Sequence, residues 1–511
     1  MMQLPYYKLL MTFFISSFLI VTCMTIPAIV ESAELETQQV SDDDDTTDGF
    51  EEDDSLEGFD ESDDFEDVSV DLTAIQSKSQ TRSFYTLGGF IKEDLGYSYG
   101  HEPDDIILSK IRTTVNLSAD FRLFSDWTSK IVWNGFFDYA YENFGREKFN
   151  DEILETNESE SEIRDLFLDG SVTHWMRFKI GRQIIAWGQS DMGQINDMAN
   201  PRDSRELGTV DLEDSRIPVT STKLSFYLNT WELNLVALHE IRGNKLPAQG
   251  SEFDIFQTIT SNGITVEDEE LPTETEAMIR IFKSFNGGDI SFIWSDVYSD
   301  SPHLDFEKLT IYNNRPIAFS LTPRHKRIQT IGFSGNWVTG SWLFKTELAR
   351  KSNTAIARSD ILTQVKQVAS TTSSFTFNKD SNAITPWEEK DLTQWMLGFE
   401  YGGFDDITLS LETIIDKVEN FEETLTGSEM SNMITLNLSH QALNDLLTTR
   451  LVWVRFSENN GDLGRINIDY DLIDALNISG GIVVYEATET TAKLYPYRNN
   501  DRLFAALKYS F

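Results

Sequence analysis

Between Gly188 and Arg216 the chain sets Asp191, Asp197, Asp203, Glu206, Asp211, Glu213 and Asp214 beside Arg202, Arg205 and Arg216, around the turn Asn200-Pro201. Both signs of charge at this density suit a loop folded into a wet lumen, where each charge finds water or a partner. The chemistry such a set performs is selection, because rings of charge at a narrowing filter solutes. Gly188, Gly193 and Gly208 permit tight bends, and Asn200-Pro201 fixes one. The expected role is a constriction loop. A salt-bridged plug, or an external cap with no part in selectivity, is the alternative.

Bond-making chemistry finds little support. The six histidines, His101, His174, His239, His303, His325 and His440, show no metal-ligand spacing, and His239-Glu240 lacks the second histidine of a zinc helix. No phosphate-binding glycine loop and no Gly-x-Ser-x-Gly elbow occurs. Asp44, Thr46, Asp48 and Gly49 faintly resemble a calcium loop, but Ser55 stands where its bidentate glutamate belongs. Neither catalysis, nor a metal, nor a cofactor is therefore expected. Cys23 is the single cysteine, which excludes a disulfide framework. Lys plus Arg number 42 against 84 Asp plus Glu, a net charge of −42, so nucleic acid is excluded as a partner.

The elements that must hold the charged loop are built on period two. Ile111, Thr113, Val115, Leu117, Ala119, Phe121 and Leu123 alternate with Arg112, Thr114, Asn116, Ser118, Asp120 and Arg122. Similar alternation surrounds Leu409, Leu436 and Ile468. Each such strand has one apolar and one polar face. Several runs reach the roughly 9–11 residues that a tilted membrane-spanning strand needs. Short breaks at 124–126, 173–174, 229–230, 286–288, 338–340 and 403–405 alternate with long ones at 144–162, 188–216, 242–276, 299–325, 352–389 and 417–429. This asymmetry belongs to a transmembrane up-and-down antiparallel β-barrel, all-β, with tight turns on one side and long loops on the other. Strand starts are expected near 84, 107, 127, 163, 175, 219, 231, 277, 289, 326, 341, 391, 406, 432, 446, 464, 476 and 501. That makes about 18 strands, with 16 as the alternative, and an even number puts both termini on the periplasmic side. Arg112, Asn116, Asp120, Arg122, Asn134, Asp138, Lys345, Glu347, Glu412, Asn467 and Asp469 are expected to line the pore. Trp127, Trp175, Trp231, Trp342, Trp395, Tyr401 and Tyr509 are placed to form interfacial girdles.

Ahead of the barrel (83–511), residues 1–33 read as a secretory signal peptide: Lys8, an apolar run from Leu9 to Val21, and the small residues Ser32 and Ala33. Residues 34–82 form an acidic segment, with 16 Asp and Glu between 42 and 67 and no basic residue there. It cannot bury enough apolar surface to fold alone, so it is expected to be disordered. Gly49-Phe50-Glu51-Glu52 recurs as Gly58-Phe59-Asp60-Glu61, and Asp64-Phe65-Glu66-Asp67 is a partial third copy. Phe50, Phe59 and Phe65 are candidate docking residues; a solvated spacer is the bland alternative. The acidic stretch 267–276 is expected on the outer rim, facing lipopolysaccharide through divalent cations.

The chain ends Arg502-Leu503-Phe504-Ala505-Ala506-Leu507-Lys508-Tyr509-Ser510-Phe511, with alternate residues on one face. This resembles the last strand of Gram-negative outer-membrane β-barrels of the porin kind. The resemblance implies the cell outer membrane, and implies that Tyr509 and Phe511 are read by the barrel-assembly machinery. A narrower likeness lies in Ile180-Gly181-Arg182-Gln183, Trp187-Gly188, Asp197, Asn200-Pro201-Arg202-Asp203 and Asp214-Ser215-Arg216-Ile217-Pro218. It resembles a poorly characterised group of proteobacterial outer-membrane proteins linked to exporters of the resistance–nodulation–division type. The main expectation is a channel passing small solutes, with weak cation preference at most. The alternatives are an outer-membrane partner of an inner-membrane exporter of lipids or hydrophobic compounds, docked through the acidic segment, and a structural or adhesive barrel.

Overall fold

The computed structural model describes residues 84–99, 108–124, 126–209, 212–456, 461–489, 492 and 494–511. The expected signal peptide, the acidic segment with Phe50, Phe59 and Phe65, and Asp211 lie outside the described residues.

The period-two segments pair as successive antiparallel hairpins and close into an 18-stranded barrel. In chain order the strands are Tyr85–Ser98, Leu108–Phe124, Trp127–Asp138, Ser159–Thr173, Met176–Gln183, Val219–Leu228, Trp231–Leu238, Glu276–Phe285, Gly288–Tyr298, Arg327–Thr339, Trp342–Ala357, Trp387–Phe404, Ile407–Val418, Met430–Ala442, Leu447–Phe456, Gly461–Ile473, Leu476–Ala487 and Arg502–Ser510. Every expected start falls within four residues of an observed one. Closure is made by the first strand. Leu95 pairs with Ile111 on the second strand and with Ala505 on the last. Beyond that register, Gly89 and Phe511 exchange backbone hydrogen bonds of 2.9 and 3.0 Å. A closed circuit satisfies the backbone of every strand internally, which is what a spanning structure in hydrocarbon requires.

The two faces of the wall differ as alternation dictates. Ile331 is 70 % exposed while its neighbour Thr330 is fully buried, and Leu397 and Met396 repeat the contrast. Outward Leu, Ile, Phe and Trp residues form a continuous apolar surface that only a bilayer covers. Trp127, Trp231 and Trp342 are first residues of strands, and Trp175 stands just ahead of one. They pack with neighbouring rings, Trp175 on Phe226 at 6.0 Å and Trp342 on Tyr401 at 4.5 Å, as a belt on the short-turn side. Trp395 shares the outward phase of Leu397, alternate to buried Met396, and lies nine residues up its strand from Phe404. At about 2.5 Å of height per tilted residue it reaches the opposite interface. The short turns hold Asn229, Gly287, Gly340 and Asp406 at positive φ (57°, 84°, 58° and 59°), the conformation that matches two-residue hairpins to strand twist.

Two stretches expected as open loops are folded. Within 299–325 and 352–389, His303–Tyr312, Arg315–Arg324 and Ser374–Asn378 pair with one another and with Thr265–Val266 in a separate four-stranded sheet. The helix Ile361–Thr371 packs on it over Phe306, Leu309, Ile311, Phe319 and Leu321. This cap stands on the long-loop rim, where Trp387 donates to Asp305 at 2.6 Å. The acids of 267–276 face it too. Glu269 meets the His325 imidazole at 3.0 Å, while Glu270 meets Arg324 at 2.9 Å and Glu274 meets Arg327 at 2.9 Å, so the last two carboxylates have guanidinium groups beside them.

One side of the lumen wall is apolar. Val236, Leu238, Met278, Ile293, Val297 and Ile328 point inward and are covered by Ile185, Trp187, Met198 and Ala199. These strands carry apolar residues on both faces because the chain itself, rather than water, fills this part of the interior.

Candidate functional site

The covering chain is the stretch 184–218, which joins the fifth barrel strand, Met176–Gln183, to the sixth. It runs inward instead of outward. Its leading part reaches the tenth to fourteenth strands, and in a circuit of 18 the fourteenth lies opposite the fifth. Glu347 accepts from the backbone N–H of Gln189, from that of Ser190 at 2.9 Å and from that of Asn196 at 3.0 Å. Glu412 accepts from the Ser190 hydroxyl and the Asp191 N–H, both at 3.0 Å. Lys345 Nζ lies between Asp191 (2.7 Å) and Glu412 (2.8 Å), and Asn437 donates to Asp191 at 3.3 Å. Lys351 donates to the Gln194 carbonyl at 2.9 Å. Irregular backbone inside a barrel must find such partners, because an unpaired buried N–H costs about 1–3 kcal/mol. Gly332 makes the close approach possible: a Cβ there would stand 2.0 Å from the Asn196 Oδ1.

The loop is also tied to itself. Asp197, almost fully buried, takes Arg216 at 2.9 Å and Arg202 at 3.4 Å. Asn200, wholly buried, accepts from the Ile185 N–H at 2.7 Å and donates to the Ile217 carbonyl at 2.8 Å, stapling the loop's two ends. Arg205 pairs with Asp203, where burial opposes ionisation of the carboxylate but the guanidinium outweighs it and holds Asp203 below its ordinary range. Asp214 is exposed.

The trailing part swings to the wall formed by the first two and the last three strands. Glu206 is met by Lys110, by Arg112 at 3.1 Å and by Arg502 at 3.8 Å. The Tyr485 hydroxyl donates to the Leu207 carbonyl. Burial alone would push the Glu206 carboxyl up, but the three cations outweigh it and hold it far below the usual carboxylate range. A depressed folded value stabilises above the unfolded carboxylate pKa of about 4.3 and is lost only as pH falls through the folded value. The ion cluster that Glu206 forms with Lys110, Arg112 and Arg502 is therefore expected to stay intact from pH 8 to pH 5. Hydrogen–deuterium exchange of the backbone around Glu206, corrected for the intrinsic pH dependence of exchange, checks it, and a loss of protection between pH 8 and pH 6 would contradict it.

The expected pore-lining residues fall into three settings. Glu347, Glu412 and Lys345 lie sealed beneath the loop and serve as its anchors. Arg112 pairs with Asp138 at 3.2 Å, and Asn116 meets Asn134 at 3.5 Å across the second and third strands. Asp120 and Arg122 are exposed near the short-turn end, while Asn467 and Asp469 border a cavity on that side. Glu206 belongs to the loop's set of charges read from the sequence, whereas Lys110, Arg502 and Glu252 were not singled out there. The inward phase of Lys110 and Arg502 was legible, but their meeting with Glu206 across 96 to almost 300 residues of chain was not.

The family described as a protein of unknown function (DUF1302) matches residues 104–511. No curated protein matches the chain. Solved structures similar to it include OccAB1 of Acinetobacter baumannii, at 8 % identity and TM-score 0.48 over 85 % of this chain and 99 % of that one. OccAB2 of the same organism gives 8 % identity and TM-score 0.46 over 84 % and 98 %. The outer membrane protein OpdK of Pseudomonas aeruginosa gives 8 % and 0.44 over 84 % and 98 %.

Proposed function

The chain belongs to the DUF1302 family, and from its barrel and lumen we propose that it is an outer-membrane channel passing small solutes, with residues 188–216 as its constriction. The observation that carries this reading is the anchored loop. An 18-stranded barrel encloses a lumen wide enough for an aqueous channel. A loop that enters this lumen and binds opposite walls through buried ion pairs leaves a narrow, charge-lined passage, which is the arrangement a selective pore needs. Purified protein in planar bilayers is expected to show discrete conductance steps in potassium chloride. Silence at every voltage, with the barrel shown to be folded by its heat-modifiable mobility, would refute the channel reading.

A second reading rests on the acidic segment with its Gly-Phe repeats at 49–52 and 58–61. Regularly spaced aromatics in a field of carboxylates suit a docking sequence for a basic periplasmic or inner-membrane partner, as an export role would need. Deleting residues 41–68 separates the two. A channel keeps its conductance and its cellular function, whereas an export partner loses function with its barrel intact.

A further inference from the structure

Two cavities lie on the same side of the crossing loop, one above the other. The first, about 390 Å³, opens among the long-loop insertions, lined by Tyr141, Phe149 and Gln257 with Arg112. The second, about 470 Å³, runs down the inner wall past Asn467 and Ser479 to the short turn at Asp474 and Ala475. Among the described residues, only Glu206 and Arg502 line both. The opposite side of the loop is packed with the apolar residues that meet Trp187 and Met198.

We propose that these cavities are the two halves of a single permeation route along the wall of the first two and last three strands, and that Glu206 is its gate. The inference rests on the channel reading above and adds where solute passes and which residue selects it. Three observations carry it. Glu206 stands where the two cavities meet. Its carboxylate is held by cations on the second and the last strands, Lys110, Arg112 (3.1 Å) and Arg502 (3.8 Å), so it ties the loop to the wall across the passage. The loop's backbone is fixed beside it by the Tyr485 hydroxyl on the Leu207 carbonyl. A solute must pass this ion cluster, and Glu206 is the carboxylate that meets all three of its cations. Asp138 on Arg112 and Glu252 on Arg502 flank the cluster, each touching one of its cations.

The test is Glu206→Gln, which keeps the shape and removes the charge. Reversal potentials in a potassium chloride gradient are expected to shift so that the anion-over-cation permeability ratio rises by about threefold or more. An independent measurement uses the chain's lack of cysteine outside Cys23. Gln257→Cys in the first cavity and Ser479→Cys in the second should each lose conductance on addition of an anionic methanethiosulfonate. Ser381→Cys, exposed on the cap, and the unaltered protein should not. An unchanged permeability ratio in Glu206→Gln, or failure of either cavity cysteine to block, overturns the route. A protein that never conducts instead overturns the channel reading itself.

Discussion

Replacing Glu347 and Glu412 together by alanine should raise single-channel conductance by about threefold, because it removes the far anchor of the constriction while leaving the barrel wall intact. Glu347 alone receives three backbone N–H groups of the loop, and Glu412 receives a hydroxyl and a fourth N–H. Hydrogen bonds to a charged acceptor contribute about 1.5–3 kcal/mol each. Both carboxylates are sealed from water, so no solvent stands ready to take over their role. Without them Lys345 keeps only Asp191, and the backbone from Gln189 to Asn196 has stronger partners in bulk water than against an alanine wall. The strands bearing these residues keep their ladders, Ser334 opposite Glu347 and Gly398 opposite Glu412, so folding should be retained. Heat-modifiable mobility confirms that state before recording. A folded double variant with unaltered conductance would mean that this loop does not set the width of the pore.

Asp197→Ala attacks the same loop from within. It strips two largely buried guanidinium groups, Arg202 and Arg216, of their shared carboxylate. Breaking a buried pair by removing one partner costs about 3–5 kcal/mol. At about 1.4 kcal/mol per factor of ten, local opening should rise by about 100- to 4,000-fold. Arg202, Arg205 and Arg216 are trypsin sites that the folded loop withholds. Cleavage of the variant within 202–216 should therefore accelerate by a comparable factor while the barrel fragments remain associated. Cleavage at the unaltered rate would show that Asp197 is not the residue that holds the loop closed.

The sequence made the wall legible and left its contents obscure, for physical reasons that differ. Alternation is a local property of each strand, so Thr330 against Ile331 or Met396 against Leu397 declares inside and outside without knowledge of any partner. Short turns are likewise local. The inward phase of Lys345, Glu347 and Glu412 was readable for the same reason, and so was the mixed charge of 188–216. That these two sets bind each other was not readable, since Glu347 lies 158 residues from Gln189. Strands containing Val236, Ile293 and Val297 carried apolar residues on both faces, a sign of interior filling that period two alone does not interpret. The cap was hidden by its charged flanks and by register shifts beside Phe306 and Thr310, which break the alternation of its strands.

The reach of the crossing loop also constrains the order in which the molecule can form. The segment is synthesised between the fifth and sixth strands, yet its partners Glu347, Glu412 and Asn437 come 151 to 246 residues later. Leu207 waits still longer, for Tyr485, 278 residues on. Contacts of such separation form late, since the intervening chain must be ordered before they repay its entropy. Until the final strands arrive, Asp197, Arg202 and Glu206 have no finished interior to enter. The loop therefore docks last, and a docked loop is a record that the whole circuit of strands has been completed.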